Sequence, residues 1–373
     1  MNVVHISNSP VAGSPGNIVS ALNRLTDIRA RHIVFNSSAY RTRTFAVDID
    51  WKTGREEALD AIAAADVIHI HQFFSLDETF GPDFQSRFGK KKLIRQYHSA
   101  PDLWAKGDAA MVASMVHEAM PQLVIAQGPE RYYPFARVVP NIIPIHDERY
   151  LPMEPADGLP IVAFSPSGRA SAWKTRWETK GAPQTLALLR KLQREGLCKL
   201  QLIVDTPYDE CLRARQQAAI VIDECVTGNY HQSGLEALSQ GKPTVGHLDQ
   251  RVQAQIRQIT GATELPWIDM RLEEAEQPLR ELLASRSLRA SLGTSSRKRM
   301  ETYYDDAKLI QHFRQAYLDL FDAPDLFGQA RFDSESDHWL AVRLPNHHWT
   351  ARRNARAPLG RALKTLGGWI GIR

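Results

Sequence analysis

Short apolar runs alternate with amphipathic stretches along most of the chain, and residues 221–245 show this alternation most compactly. The run before Asp223 is apolar and β-branched, which is typical of a buried parallel strand. A polar loop follows, then a helix-forming stretch over residues 233–240 that Gly241 and Pro243 would end, and then a further strand. Such a strand–helix–strand unit places its loop and its helix N-terminus at the carboxyl edge of a sheet, where open α/β sheets bind ligands.

The same alternation predicts an α/β protein throughout. We expect strands at residues 2–6, 31–36, 67–70, 92–97, 123–126, 137–139, 161–164, 200–204, 244–245 and 265–268. The main helices are expected at 17–25, 55–64, 109–120, 182–195, 208–217, 250–259, 273–284, 287–301 and 305–321. Four prolines within 144–160 predict a linker, and a chain of 373 residues suits two domains. We place these domains at 1–143 and 161–322, followed by a tail at 323–373.

Composition and charge narrow the class of protein. A content of 43% hydrophobic and 24% charged residues is typical of a soluble globular protein, and the net charge of +4 is too small to indicate nucleic-acid binding. The three cysteines form no C-x-x-C pair, which favours a reducing compartment. The N-terminus lacks the features of a signal peptide and no apolar run approaches the ~20 residues of a membrane span, so we expect a cytoplasmic protein.

Glu236 is the first candidate for chemistry, because it is the acid of the helix predicted at 233–240. An acid near a helix N-terminus can also be a capping or solvated residue, since it interacts favourably with the helix dipole. The surrounding phrase G-L-E-A-L-S-Q-G-K-P-T-V resembles the donor-site helix of GT-B glycosyltransferases of the retaining group called family 4. The resemblance implies two Rossmann-like domains facing each other across a cleft, with Glu236 bonded to the ribose of a nucleotide sugar.

The sequence departs from the family pattern at one position. The family has another Glu eight residues before Glu236, where this chain has Gly228. A divergent branch of the family instead reads D-Q, a short spacer and G-x-Y-G, and this chain is similar to it in D-E at 223–224 and G-N-Y-H at 228–231. The resemblance therefore implies a donor site that includes Gly228, Tyr230, His231, Gly234, Leu235 and Glu236, with Tyr230 and His231 beside the sugar.

A basic loop follows the strand expected at 161–164 and ends in Lys180 and Gly181. In the family this loop ends in Lys-Gly and carries a further basic residue, and the two cations neutralise the donor diphosphate. Lys180 matches the family lysine, and a solvated basic loop is the alternative interpretation. The resemblance places the other donor contacts of this loop at Ser167 and Arg169, with Lys174 and Arg176 as alternatives to the arginine.

Two segments of the first domain point to the same site. The loop V-A-G-S-P-G after the first strand fails the G-x-G-x-x-G fingerprint, which argues against an NAD enzyme. It is either a simple turn or, by resemblance, a loop in which Gly13 and Gly16 let the backbone approach the donor. The phrase D-V-I-H-I-H is also similar to the family and ends at His71, although histidines on so apolar a strand are commonly core groups. His98 follows the next strand, and by resemblance it would contact the transferred sugar; the alternative is that it caps a helix.

The tail lies beyond the resemblance. From residue 340 onward it contains seven Arg and Lys residues and no acid, interleaved with tryptophans and leucines. Residues 358–372 would form a basic amphipathic helix on an anionic membrane surface. A disordered basic tail, or apolar positions packed on the body, is the alternative.

The resemblance to the family implies a hexosyltransferase-type enzyme. It would move a sugar from a UDP- or GDP-linked donor to a glycan or lipid-linked glycan, with retention and without a metal or other cofactor. Synthesis of bacterial surface polysaccharide or lipopolysaccharide, at the inner face of the membrane, is the expected setting. His98, Glu236 and Lys180 are the expected catalytic residues. A catalytically inactive GT-B scaffold or partner subunit, and a GT-B nucleotide-sugar epimerase, are the alternatives.

Overall fold

Seven parallel strands form the first sheet, in the spatial order β3-β2-β1-β4-β5-β6-β7. They are β1 (Asn2–Ser7), β2 (Arg29–Val34), β3 (Ile49–Asp50), β4 (Val67–His71), β5 (Lys92–Tyr97), β6 (Gln122–Ile125) and β7 (Arg137–Val139). The computed structural model describes residues 1–39, 45–73, 84, 88–105, 108–155, 157–166 and 180–332. Every strand predicted for this part of the chain is confirmed, and β3 is additional because two residues are too few to give a periodic pattern.

Five parallel strands form the second sheet, in the order β12-β11-β10-β8-β9. They are β8 (Ile161–Phe164), β9 (Lys199–Leu202), β10 (Ile220–Ile222), β11 (Thr244–Gly246) and β12 (Ile268–Asp269). Because all pairs are parallel, the carboxyl ends of these strands lie at one edge of the sheet. Since β10 lies between β11 and β8, the residues that follow β10 occupy the middle of that edge.

The helices agree with the predicted positions and differ mainly at their ends. They are α1 (Ser14–Leu25), α2 (Arg55–Ala64), α3 (Asp102–Ala105), α4 (Ala109–Val116), α5 (Ala182–Arg194), α6 (Tyr208–Gln217), α7 (Gln232–Ser239), α8 (Gln250–Thr260), α9 (Glu276–Ala284), α10 (Arg286–Tyr303), α11 (Asp306–Leu309) and α12 (Gln311–Asp322). Helix α1 begins at Ser14 rather than 17, because a proline is well tolerated in the first turn of a helix. The helix expected over 305–321 is divided into α11 and α12 at Ile310.

The terminal helices pack against the first sheet. Phe313 and Tyr317 of α12 are fully buried in a core that also contains Val3 of β1 and Val67 of β4. Ion pairs join the same parts of the chain, between Arg24 and Asp306 and between Arg137 and Asp319, each at 2.6 Å. Within the described ranges, no helix combines the length and the apolar character needed to cross a bilayer.

Candidate functional site

Two buried acids, Asp223 and Glu224, follow β10 at the middle of the carboxyl edge. Glu224 accepts hydrogen bonds of 2.6 Å from the backbone N–H groups of Lys180, Val226 and Thr227. Asp223 accepts a hydrogen bond of 3.0 Å from the backbone N–H of His231. The acids therefore hold together the loop after β10 and the end of the basic loop. The sequence pattern had indicated this pair only as a family likeness.

Lys180 is the cation of this edge. Its ammonium group donates to the hydroxyl of Ser233 at 2.8 Å and lies 3.4 Å from the carboxylate of Asp223. Burial lowers the pKa of Lys180, and the neighbouring carboxylates of Asp223 and Glu224 oppose that shift. Burial raises the pKa of Asp223, but Lys180 and the hydrogen bonds from His231 outweigh it, so the net shift is downward. We infer that the pair is an ammonium and a carboxylate.

The N-terminus of α7 lies directly above Asp223. His231 is the N-cap residue, and its ring nitrogen Nδ1 is 3.5 Å from a carboxylate oxygen of Asp223. A Cβ atom at Gly234 would lie 2.2 Å from that carboxylate, so only glycine allows the helix to approach so closely. The first N–H groups of a helix have no partner within it and attract anions. Lys180, Ser233 and this helix end therefore form a compact cradle suited to a phosphate.

Glu236 is buried below this cradle and is already fully paired. Its carboxylate forms an ion pair with the guanidinium of Arg215 and accepts hydrogen bonds from the hydroxyl of Tyr208 at 2.7 Å and the amide of Gln232 at 3.3 Å. The hydroxyl of Tyr208 is also within 2.7 Å of that of Tyr150. The expected role of a ribose ligand would require this network to open.

Breaking this ion pair is expected to be costly. Arg215→Met leaves the Glu236 carboxylate buried without its cation, which should lower the free energy of unfolding by about 3–5 kcal/mol. The double variant Arg215→Met with Glu236→Gln removes both charges and should lie much closer to wild type. Urea unfolding of the wild type, the two single variants and the double variant measures the coupling.

A surface ion pair provides the matched control for that cycle. Arg286 and Asp157 form an exposed pair at 2.7 Å, with side chains 69% and 88% exposed. Arg286→Ala should cost less than about 1 kcal/mol. A loss of similar size in Arg215→Met would contradict the buried pairing of Glu236.

The structure also describes three other residues of the predicted donor site. Tyr230 is only 2% exposed, packs on Trp267 and donates its hydroxyl to the backbone carbonyl of Ala126 in the first domain, so its side chain is part of the core. Leu235 is also fully buried in that core. Gly228 has φ +82°, and a Cβ there would lie 2.9 Å from that of Asp249. Both the positive φ and the lack of room for a side chain favour glycine at position 228, so a glutamate at this position would not suit this fold.

The glycine loop of the first domain lies beside the Glu236 network. Val11, Ala12 and Gly13 all have positive φ, which is rare for a β-branched residue such as Val11. A Cβ at Gly13 would lie 3.0 Å from the ring of Phe45, and that ring packs on Tyr208 with centroids 4.8 Å apart. Gly16 lies in the first turn of α1 with room for a side chain. The loop therefore contacts the second domain through Phe45.

His98 lies at the carboxyl end of β5 and is half-buried. Its Nε2 is 2.9 Å from Nδ1 of His71, which ends β4, so the two predicted histidines are in direct contact. Burial lowers the pKa of His98 to about 3, so its ring is neutral near pH 7. A neutral imidazole donates one hydrogen bond and accepts another, as hydroxyl recognition requires.

Some predictions lie outside the described residues, namely Ser167, Arg169, Lys174, Arg176 and the tail from 333 onward. The first part of the tail is described, and Arg331 donates to the backbone carbonyls of Glu130 and Tyr133 at 2.7 and 2.9 Å. Two residues that sequence reasoning missed are Tyr208 and Arg215. They are seven positions apart on α6 and so share one helix face, which is the signal that could have paired them.

Comparison with known proteins gives a fold. No family model matches the sequence, and no curated protein matches it. The chain is similar in structure to sucrose-phosphate synthase from Thermosynechococcus elongatus, with a TM-score of 0.54, 13% identity and coverage of 87% of this chain and 100% of that one. It is also similar to HepE from Anabaena in complex with UDP-glucose, with a TM-score of 0.57, 12% identity and coverage of 86% and 100%. A third similar structure is a glycosyltransferase from Rickettsia africae, with a TM-score of 0.53, 9% identity and coverage of 86% of this chain and 99% of that one.

These neighbours share an architecture with this chain over nearly its whole described length. The two parallel sheets and the similar structures identify the GT-B fold of glycosyltransferases, as the sequence predicted. At 9–13% identity the likeness concerns the fold alone. What the chain does must be argued from its own residues.

Proposed function

We propose that this protein is a glycosyltransferase that moves a sugar from a nucleotide-sugar donor to a glycan or lipid-linked glycan. The observation that carries the proposal is the cradle formed by Lys180, Ser233 and the N-terminus of α7 at the carboxyl edge of the second sheet. This edge is where open α/β sheets bind nucleotides. The neighbours of the same fold support the proposal, since HepE is described with UDP-glucose bound.

Charge explains how the cradle would act. As the sugar leaves, the nucleoside diphosphate gains negative charge, and preorganised cations and backbone N–H groups stabilise that charge without moving. The ammonium of Lys180 supplies the cation, and the positive N-terminal end of α7 supplies the backbone N–H groups. A bound diphosphate would also favour the charged form of Lys180, against the effect of burial on its pKa. With these groups the reaction would need no metal.

The acceptor and the sugar would lie across the cleft. We assign residues 1–143 to the acceptor side, 144–160 to a linker and 161–322 to the donor side, with His98 and the loop of Gly13 and Gly16 facing the reacting end. The acceptor oxygen would bond to the sugar on the face from which the phosphate leaves, and the leaving phosphate would take the acceptor proton, so the configuration is retained. We further propose a hexose donor linked to UDP or GDP, and synthesis of a surface polysaccharide with the tail at the membrane.

A non-catalytic scaffold is the second candidate, and one observation favours it. The carboxylate of Glu236 is occupied by Arg215 and Tyr208, so a ribose has no free acceptor there unless the network opens. Binding without turnover would fit this arrangement. Ligand binding and transfer must therefore be measured separately.

A thermal-shift screen with UDP, GDP, ADP, CMP, NAD and the corresponding nucleotide sugars tests the donor site. A ligand at about 100 times its dissociation constant stabilises the native state by roughly 2.7 kcal/mol. We expect one nucleoside diphosphate to raise the Tm, and Lys180→Met to abolish the rise. Lys191→Met is the control, because Lys191 lies on α5 in an exposed pair with Glu276.

The outcomes separate the candidates. A shift that is lost in Lys180→Met but kept in Lys191→Met, together with release of the nucleoside diphosphate from its sugar, supports the enzyme. A rise in Tm without release of the nucleoside diphosphate, whichever acceptor is added, supports the scaffold. If folded protein shows no shift with any nucleotide, the donor site is refuted.

A further inference from the structure

A row of histidines crosses the first sheet beneath α12. His32, His5 and His69 are register partners on β2, β1 and β4, so their side chains share one face of the sheet. His71 lies two residues after His69 on the same face, and His98 follows β5 beside it. His5, His69 and His71 are completely buried. So many imidazoles in one core call for an account of their hydrogen bonds.

Four contacts connect these rings into one chain with Tyr317 of α12. Nε2 of His98 lies 2.9 Å from Nδ1 of His71, and Nε2 of His71 lies 2.8 Å from Nδ1 of His5. The hydroxyl of Tyr317 lies 3.2 Å from Nε2 of His5 and 2.7 Å from Nδ1 of His69. We call His98–His71–His5–Tyr317–His69 the imidazole chain. It runs from the half-buried ring at the carboxyl edge to the buried face of the terminal helix.

The number of protons restricts the chain to three arrangements. Burial lowers the pKa of His5, His69 and His71 well below the ordinary value, so each ring is neutral with one N–H and one acceptor nitrogen. Each of the four contacts needs one hydrogen, and the Tyr317 hydroxyl supplies only one. If Tyr317 donates to His5, every histidine carries its proton on Nδ1. If Tyr317 donates to His69, every proton in the chain lies on Nε2. If Tyr317 accepts from both rings, its own buried hydroxyl hydrogen has no acceptor among the described residues, so this third arrangement is excluded.

The buried end of the chain decides between the two that remain. Nε2 of His69 is buried and forms no hydrogen bond with a described residue, although the Gln96 side chain, whose amide atoms are also unpaired, is close enough to affect the pKa of His69. An orphaned N–H inside a protein is rarer than an unsatisfied acceptor, so this nitrogen is better left without a proton. His69 then carries its proton on Nδ1 and donates it to Tyr317, which donates to His5.

We infer that Tyr317 sets the tautomer of His98 at a distance, through His5 and His71. His98 is thereby held as the Nδ1–H form, with Nε2 accepting from His71 and the Nδ1–H not used within the chain. Tyr317 is a positioning residue that acts through three hydrogen bonds. The use of this N–H as a donor to a sugar hydroxyl rests on the proposed function, whereas the tautomer itself does not.

The test is a long-range ¹H–¹⁵N spectrum of the full chain with ¹⁵N-labelled histidine, which distinguishes protonated from unprotonated ring nitrogens. We expect His98, His71 and His5 to carry their protons on Nδ1. Tyr317→Phe removes the donor to His5 and should shift the His98 tautomer ratio toward Nε2–H by roughly two- to tenfold, the size expected for one neutral hydrogen bond. The spectrum needs no nucleotide and no activity, so its result is independent of the donor site.

Tyr304→Phe is the matched control. Tyr304 is another buried tyrosine of the C-terminal region, and its hydroxyl has no hydrogen-bond partner among the described residues. This variant should leave the histidine signals unchanged. His5→Gln interrupts the chain at its middle and should release His98 in the same way as Tyr317→Phe, which keeps the test valid if one variant fails to fold.

Three results would overturn the inference. One is a His98 that carries its proton on Nε2 in the wild type, and another is a tautomer ratio that Tyr317→Phe and His5→Gln leave unchanged. The third concerns metal, because one ring nitrogen from each of His5, His69 and His71 lies within 4.8 Å of the others. If stoichiometric Zn²⁺ moves these three signals together, the cluster is a metal site rather than a hydrogen-bonded chain.

Discussion

Lowering the pH from 7 to 5 is expected to destabilise the protein by several kcal/mol, which is a large share of the roughly 5–15 kcal/mol that stabilises a typical domain. The cause is the histidine row of the first sheet. Burial lowers the pKa of His32 to about 4 and that of His98 to about 3, and lowers those of His5, His69 and His71 as well. Each ring that stays neutral in the folded protein lowers the free energy of unfolding by about 1.4 kcal/mol for each pH unit below roughly 6.5.

The sign follows from proton binding. The folded pKa values are below the unfolded value, so the unfolded chain binds more protons and stability rises with pH. The stabilisation is therefore complete above about pH 6.5 and is lost as the pH falls toward the folded values. Denaturant unfolding at pH 7, 6 and 5 measures the slope, which gives the number of protons taken up.

Single histidine variants show which rings contribute. His32 is 2% exposed and contacts Ser7 through Nε2 at 2.8 Å, so His32→Gln should reduce the proton uptake by about one. His146→Gln is the control, because the His146 side chain is 58% exposed and lies outside the histidine row. A free energy of unfolding that stays constant between pH 7 and 5 would refute the neutral, buried state of these rings.

The histidine row also shows what the sequence could and could not predict. Alternating apolar runs identified the strands, and D-V-I-H-I-H placed His71 at the end of β4, where it is observed. The contact of His71 with His98 joins the ends of two neighbouring strands, so the order of the strands would have been enough to indicate it. The contact of His5 and His69 with Tyr317 joins residues more than 240 positions apart and depends on how α12 packs. No periodicity within a segment carries that information.

The carboxyl edge of the second sheet likewise has features that the sequence could predict and features that it could not. The strand, the loop, the helix and the Lys-Gly end of the basic loop were all predictable, because each is written in consecutive residues. The state of Glu236 was not, since its partner Arg215 lies on another helix and the pairing is set by tertiary packing. The orientation of Tyr230 was not predictable for a similar reason, because the family likeness gives its position in the loop but not the direction of its side chain. Its ring turns into the core that joins the two domains.

Replacing Lys180 by methionine is expected to lower kcat/KM for sugar transfer by about 10²–10³-fold, the usual effect of removing one preorganised charge stabiliser. Lys180 is the described cation that contacts both Ser233 and Asp223 at the start of α7. The loss should lie in kcat as well as in donor affinity, because the charge on the diphosphate grows as the sugar leaves. Lys191→Met, from the exposed pair with Glu276, should retain the wild-type rate.

The same change also affects the fold, and a second substitution separates the two effects. Asp223 is completely buried, so Lys180→Met leaves a carboxylate without its cation and should cost about 3–5 kcal/mol of stability. Adding Asp223→Asn removes that charge while an amide oxygen can still accept from the backbone N–H of His231. The double variant should therefore regain most of the stability but none of the lost activity, as urea unfolding and initial rates would show. If the double variant regains the rate along with the stability, Lys180 supports the loop and does not hold the diphosphate.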